Sequence, residues 1–201
     1  MTIGIIGGSG LYDLPGLADT RWVTVDTPWG APSDQVFLGR LGDAQLAFLP
    51  RHGRGHRIPP GEVNYRANIA ALKQLGAADV LSLSAVGGLK EELPPGTFVV
   101  VDQFIDRTVG RASSFFGTGL VAHVSMAHPV CGRLGDHVQS ALGALGVAHH
   151  RGGTYLAMGG WVSDHAVVDR DLHTLHVFTG VEIARIPAAR ARLLRALVPQ
   201  A

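Results

Sequence analysis

The segment IGIIGGSGLYD, residues 3–13, joins a run of β-branched apolar residues directly to a cluster of glycines. Such a run predicts a buried strand, and the glycines predict a turn whose backbone N–H groups face a ligand. A dinucleotide-binding G-x-G-x-x-G motif would need a glycine at position 13, where this chain has Asp13. A P-loop would need Gly-Lys-Ser/Thr, and no lysine is near. The turn therefore predicts either an anion nest, with the Ser9 hydroxyl as a further donor, or a plain structural turn.

The composition limits the classes of function. With 201 residues, 46% of them apolar, the chain is long enough for one good core, which predicts a single domain over residues 1–201. The formal net charge of +1 gives no electrostatic reason to expect nucleic acid or a membrane surface as a partner. The one cysteine, Cys131, fits a reducing cytoplasm and is expected to be a small buried hydrophobe. Neither a leader nor an apolar run of about 18 residues is found, so a soluble cytoplasmic protein is expected.

The hydrophobic pattern alternates strands with helices. Helices are predicted over residues 62–75 and 133–145 and within 187–200, and strands over 2–6, 22–26, 35–39, 45–49 and 79–84 and within 95–106 and 152–158. The strand–helix–strand order over residues 45–84 is typical of a βαβ unit. The pattern therefore predicts an α/β fold with mostly parallel strands.

A second candidate site is the basic loop LPRHGRGHRIPP, residues 49–60. Its cations are Arg51, His52, Arg54, His56 and Arg57, with no acid between them. Arginine presents a planar fork of donors that matches phosphate or carboxylate, so the loop predicts an oxyanion clamp, with a solvated basic loop as the alternative. A metal site is less favoured, because the intervening glycines oppose the helix that histidine ligands four residues apart require.

A third candidate site is SLSAVGG, residues 82–88, which follows a predicted strand. That strand delivers Ser84 and the backbone amide of Ala85 to the carboxyl edge of the sheet, where ligands bind in open α/β folds. Because three loops rich in anion donors each follow a strand, together they favour an enzyme that handles inorganic phosphate or a phosphoryl group. Asp26, at the end of the predicted strand 22–26, keeps nicotinamide dinucleotide binding open as an alternative.

Eight motifs occur in an order and spacing that resemble the trimeric purine nucleoside phosphorylase and methylthioadenosine phosphorylase family. They are IGIIGGSGLYD, VDTPWGAPSD, PRHGRGH, NYRANI, SAVGGL, DQFIDRT, HVSMAHP and GGTY, and the resemblance is near-continuous over residues 2–158. It implies an α/β fold with a mixed central sheet flanked by helices, a homotrimer, and phosphorolysis of methylthioadenosine to adenine and 5-methylthioribose 1-phosphate. Inosine or guanosine is the alternative substrate. Phosphate is then a co-substrate, and no cofactor is implied.

The resemblance also carries individual residues. By it, phosphate would be bound by Ser9, Arg51, His52, Ser84 and Ala85. His123, in HVSMAHP, resembles the histidine that reaches a neighbouring subunit's nucleoside site. No single catalytic residue and no metal is assigned, because positioning and electrostatics would supply most of the rate.

The chain departs from the family pattern after Met158. Family chains continue beyond GGTY with a Glu-Gly-Pro-x-Phe segment, a methionine-threonine pair and a Thr-Asp-Tyr-Asp motif, whereas this chain continues GGWVSDHAVVD. A long internal segment is therefore expected to be missing, with part of the sheet and the base-recognising aspartate. Residues 161–201 match the family's C-terminal end weakly, and Met158 is what remains of the nucleoside side. This predicts little phosphorolysis and keeps open a non-catalytic relative that only binds phosphate.

Overall fold

The computed structural model describes residues 2–8 and 14–158, which fall into two compact units. The first unit contains the described residues up to 84 together with 110–122, and the second contains 85–109 and 123–158. Each unit combines strands with a helix, so the α/β prediction is confirmed. The single domain over residues 1–201 stays a prediction. The helix predicted within residues 187–200 lies outside the described residues.

A five-stranded sheet forms the first unit, in the order β2-β3-β4-β1-β5. The bounds of its strands are β1 Thr2–Gly7, β2 Ala18–Val23, β3 Val36–Leu41, β4 Ala44–Pro50 and β5 Ala77–Ser82. β1 pairs in parallel with both β4 and β5, while β2, β3 and β4 pair in antiparallel fashion. The mixed sheet is confirmed, and the expectation of mostly parallel pairing is wrong for the β2–β4 meander.

Helix α1, Tyr65–Gln74, covers this sheet with a face of small apolar residues. Ala71 and Leu72 are fully buried and join Ile6 and Leu49 in one core cluster. The helix begins three residues later than predicted because Pro60–Glu62 form a separate 3-10 turn. The Asn64 side chain caps the first turn of α1, where its Oδ1 accepts the Ala67 N–H at 3.1 Å.

A buried asparagine fastens the loop before β3 to α1. Asn68 is 1% exposed, its Oδ1 accepts the Ser33 N–H at 2.8 Å, and its Nδ2 donates to Ser33 Oγ at 2.9 Å. One turn earlier, Asn64 Nδ2 donates to the Trp29 carbonyl at 2.7 Å. Through these bonds the segment NYRANI holds the segment VDTPWGAPSD in place.

The second unit contains two parallel strand pairs and helix α2. β6 (Phe98–Val100) pairs with β8 (His149–Arg151), β7 (Gln103–Arg107) pairs with β9 (Thr154–Met158), and α2 spans Gly132–Ala144. The single strand predicted within residues 95–106 is thus two strands. Within the described ranges, no helix is long and apolar enough to cross a membrane.

Cys131 lies immediately before α2, at its N-terminal boundary. It is a free, exposed thiol, so the expectation of a buried position is wrong. A residue at the end of a helix lies outside the apolar stripe that packs against the strands, which is why the residue type alone did not predict its exposure.

The Asn68 anchor leads to a stability prediction. Asn68→Leu keeps the side-chain size but leaves the buried Ser33 N–H without its acceptor, so we expect the free energy of unfolding to fall by about 1–3 kcal/mol. Urea unfolding followed by circular dichroism measures the change. Gln74→Leu, an exposed amide on the same helix, is the matched control and should change stability by less than about 0.5 kcal/mol. Equal losses in the two variants would contradict the anchoring role.

Candidate anion-binding site

The carboxyl ends of three neighbouring strands meet at one edge of the five-stranded sheet. β1 lies between β4 and β5 and runs parallel to both. Just beyond the strands, the Arg51 N–H donates to the Gly7 carbonyl at 2.9 Å, and the Leu83 N–H donates to the Ile6 carbonyl at 2.8 Å. The backbone hydrogen bonds between the strands thus continue into the loops. The glycine turn, the basic loop and the SLSAVGG loop therefore all begin at this edge of the sheet.

Arg51 is the cation at this edge. Its Nη1 donates to Ser84 Oγ, and its Nε donates to His52 Nε2 at 3.2 Å. The structure therefore brings together three of the residues that the sequence assigned to phosphate. In the part of the chain that the structure describes, no carboxylate forms an ion pair with Arg51. A half-buried guanidinium whose charge is not neutralised is a strong attractor for an oxyanion.

His52 is buried, and its ring contacts three neighbours of the same loop. The Nδ1 atom lies 2.9 Å from the Ile58 carbonyl oxygen, and the ring stacks on His56 with centroids 4.4 Å apart. Burial lowers the pKa of His52 below its ordinary value of 6.5, and the charges of Arg51 and His56 lower it further against the opposing bond to Ile58. His52 is therefore neutral at about pH 7.

The other arginines of the basic loop have an acidic partner, so the expectation of a cluster without acids is wrong. Asp34, buried in the loop before β3, accepts the Arg54 backbone N–H at 2.7 Å. Its carboxylate also pairs with Arg54 Nη2 at 2.9 Å and lies 3.6 Å from Arg57 Nη2. Burial raises the pKa of Asp34, but hydrogen bonds from Arg54 and from the Gln35 N–H outweigh it and lower the pKa to about 2. Arg54 and Arg57 are thereby tied to the loop, whereas Arg51 has no carboxylate partner among the described residues.

For the remaining predicted site residues the structure gives a position at most, and no contact with Arg51 is described. Ser9 lies outside the described residues. Ala85 is exposed and directly follows Ser84 in the chain, and His123 is exposed in the second unit. Met158 is the last residue of β9 and is 41% exposed. Their binding roles stay predictions.

The nicotinamide alternative rests on Asp26 at the end of the predicted strand 22–26. Asp26 instead lies in the loop beyond Val23, the last residue of β2. β2 pairs with β3 in antiparallel fashion at the far edge of the sheet, not with β1. A dinucleotide fold needs the acid on a parallel neighbour of the first strand, so the position predicted for Asp26 is wrong.

Comparison with known proteins places this edge in a family context. The model of the phosphorylase superfamily matches residues 2–185. The S-methyl-5'-thioadenosine phosphorylase of Rhodospirillum rubrum is 61% identical over 158 residues, which are 79% of this chain and 54% of that protein. The enzyme of the same name from Saccharolobus solfataricus is 52% identical over 160 residues, which are 79% of this chain and 59% of that protein. The chain thus spans little more than half the length of these curated relatives.

Solved structures agree in fold. A methylthioadenosine phosphorylase from an antarctic soil metagenomic library superposes with a TM-score of 0.75 at 50% identity, over 78% of this chain and 55% of that one. A mutant adenosine/methylthioadenosine phosphorylase of Schistosoma mansoni, in complex with adenine, superposes with a TM-score of 0.85 at 30% identity, over 98% of this chain and 90% of that one. The mixed sheet is therefore a nucleoside phosphorylase sheet.

The Asp34 pairing predicts a pH-dependent stability. Its pKa of about 2 lies below the ordinary 3.8, so its contribution is fully present above the ordinary value and is lost as the pH falls toward 2. We expect Asp34→Asn to lower the free energy of unfolding by about 2 kcal/mol at about pH 6, and the difference to shrink toward about pH 2. Urea unfolding across this range measures it.

Asp43→Asn is the control, because Asp43 is exposed in the turn between β3 and β4. It should leave the pH profile of the unsubstituted chain unchanged. A loss in Asp34→Asn that stays constant down to about pH 2 would contradict an origin in the charge of Asp34.

Proposed function

Because the chain belongs to the phosphorylase superfamily, we propose that it binds inorganic phosphate at the edge formed by β1, β4 and β5. Phosphate is used there in the phosphorolysis of a purine nucleoside, S-methyl-5'-thioadenosine foremost, to adenine and 5-methylthioribose 1-phosphate. The observation that carries the proposal is the Arg51 guanidinium, which has no carboxylate partner among the described residues and is joined to Ser84. The names of the relatives favour methylthioadenosine over inosine or guanosine.

The chemistry needs an oriented, concentrated nucleophile. A phosphate oxygen attacks the anomeric carbon as the glycosidic bond breaks, and the purine leaves with the bonding electron pair and takes up a proton. Arg51 would offset one of the two negative charges of the dianion and fix two of its oxygens. Since Ser84 Oγ accepts from Arg51, its own hydroxyl hydrogen is free to donate to a third oxygen. The Ser9 hydroxyl and the Ala85 amide are proposed as further donors.

The finer parts of the proposal concern assembly and location. A homotrimer is proposed, in which His123 from one subunit reaches the nucleoside site of the next. The exposed side chain of His123 supports this arrangement. A cytoplasmic location fits the free thiol of Cys131. No cofactor is proposed besides phosphate as co-substrate. Analytical ultracentrifugation measures the oligomeric state.

A second candidate is a relative that binds phosphate without turnover. It is favoured by the extent of the match, since the 61% identity covers 158 residues and only 54% of the relative's length. In the sequence, the family motifs stop at Met158, before the segment that recognises the base. Phosphate binding and adenine release, measured on one preparation, separate the candidates. Both together support the enzyme, whereas binding alone supports the second candidate.

Substitution of Arg51 tests the site common to both candidates. We expect Arg51→Gln to weaken phosphate binding, measured by isothermal titration calorimetry, by about 10- to 100-fold, because it removes charge-assisted hydrogen bonds to the anion. Arg57→Gln is the matched control from the same loop, where the side chain is 62% exposed and faces Asp34. It should change the affinity by less than about threefold. Equal weakening in both variants would mean that the loop attracts anions by its overall charge and not at Arg51.

A further inference from the structure

We infer that His52 is a positioning residue whose neutral imidazole holds the Arg51 guanidinium in place, and that its ring is not itself a ligand of the anion. The inference rests on the proposed function, since it concerns the same anion site. It differs from the role that the sequence assigned to His52, which was to bind phosphate directly. Each of the two ring nitrogens of His52 faces a group that fixes its role.

The partners of His52 determine its tautomer. A backbone carbonyl oxygen only accepts, so the Nδ1 atom that lies 2.9 Å from the Ile58 oxygen carries the proton. The Nε2 atom then has the lone pair, and it accepts the Arg51 Nε–H at 3.2 Å. A neutral imidazole has one donor and one acceptor, and both are used. The ring therefore has no N–H left for an anion.

The loop is shaped to present the Ile58 carbonyl to this ring. Ile58 N–H donates to the His52 carbonyl at 3.0 Å, so the two residues are joined both through the backbone and through the side chain. The chain between them reverses at Gly53 and Gly55, whose φ angles of +70° and +78° strongly favour glycine. The glycines of PRHGRGH thus serve to close the loop around His52.

The arrangement fixes Arg51 from two sides. Its Nε is held by His52 and its Nη1 by Ser84, so the plane of the guanidinium is set before a ligand arrives. The N–H groups that remain on the fork keep a constant direction. An anion then binds without the entropy cost of ordering a long side chain.

Protonation of His52 would break this arrangement. A second ring proton would sit on Nε2 and point at the Arg51 Nε–H, so that two donors and two cations would face each other. The charged and titratable groups that act on the ring are Arg51 and His56, and both oppose its protonation. No carboxylate pairs with His52 in the described part of the chain. The affinity for the anion should therefore fall when the pH is low enough to protonate His52.

Sulfate is the probe, because it stays a dianion in mild acid, whereas phosphate takes up a proton there. Calorimetric titration of the full chain with sulfate, from about pH 7.5 down to the lowest pH at which circular dichroism shows the folded chain, should show affinity falling by about tenfold or more. The rising positive charge of the protein acts in the opposite direction. An affinity that rises on acidification would overturn the inference, because a cationic His52 would then be a direct ligand.

Two variants make the test independent of pH. His52→Gln keeps an acceptor for Arg51, so it should bind sulfate within about fivefold of the unsubstituted chain and lose the pH dependence. His52→Lys supplies a cation without an acceptor and should bind at least about tenfold more weakly. Tighter binding by His52→Lys would overturn the inference, as would an unchanged pH dependence in His52→Gln. His56→Gln is the control for the stacked neighbour and should keep the pH dependence.

The outcomes separate this inference from the proposed function. If the unsubstituted chain binds neither sulfate nor phosphate at any pH, the proposed function fails. If it binds both, and binding depends on Arg51 but is indifferent to every change at His52, only the positioning role fails. A folded state in each variant is verified by circular dichroism and by an unchanged urea midpoint.

Discussion

The parallel pairing of β1 with both β4 and β5 is the constraint on which the site depends. It brings the ends of three strands to one edge, although their loops are far apart in sequence. Helix α1 approaches β1 closely at Gly4, where an added Cβ atom would lie 3.0 Å from Leu72 Cδ1 and 3.2 Å from Val80 Cγ2. Glycine at that position lets the helix pack directly on the central strand. The Arg51 and Leu83 backbone bonds then carry the strand register into the loops.

The three arginines of the basic loop differ in whether a carboxylate lies beside them. Asp34 pairs with Arg54 and lies near Arg57, and it stays charged because hydrogen bonds from Arg54 and from the Gln35 N–H lower its pKa. The pair also packs against the meander, where the Arg54 guanidinium lies 4.1 Å from the Trp22 ring centroid. Arg51, with His52 and Ser84 as its partners, is the cation that has no acid beside it among the described residues. The structure thus distinguishes Arg51, the arginine proposed to bind the anion, from the two arginines that pair with Asp34 and hold the loop.

Local patterns were sufficient for much of the fold. The apolar run of β1 and the helical spacing in α1 and α2 are signals within a few residues, and these elements form close to where they were predicted. β2 begins earlier than expected because its first residues form an exposed, polar edge strand with little hydrophobic signal. Asp102 lies between β6 and β7, and its carboxylate accepts the Gly153 N–H at 3.0 Å. That partner is distant in sequence, so no local pattern shows it.

The residues of the site were predictable where a local signal in the sequence indicates them. Arg51 and Ser84 could be found because each follows a strand, and parallel strands end at one edge. Asp34 could not, since it is 20 residues from Arg54 and only the fold brings them together. The hydrogen bond between His52 and Ile58 could not be predicted either. The chain between them reverses at glycines, and such a loop has no periodic hydrophobic pattern that would indicate the contact. In both cases the sequence did not indicate which residue is the hydrogen-bond partner, because a turn or the tertiary fold brings the two residues together.

The central claim is that an oxyanion binds between Arg51 and Ser84. Crystals soaked with tungstate, a tetrahedral dianion with a strong anomalous signal, test it most directly. We expect an anomalous peak whose ligand oxygens lie within hydrogen-bond distance, about 3 Å, of the Arg51 guanidinium and Ser84 Oγ, and we expect its loss in Arg51→Gln crystals. A peak at Arg54 or Arg57 with none at this edge would contradict the claim.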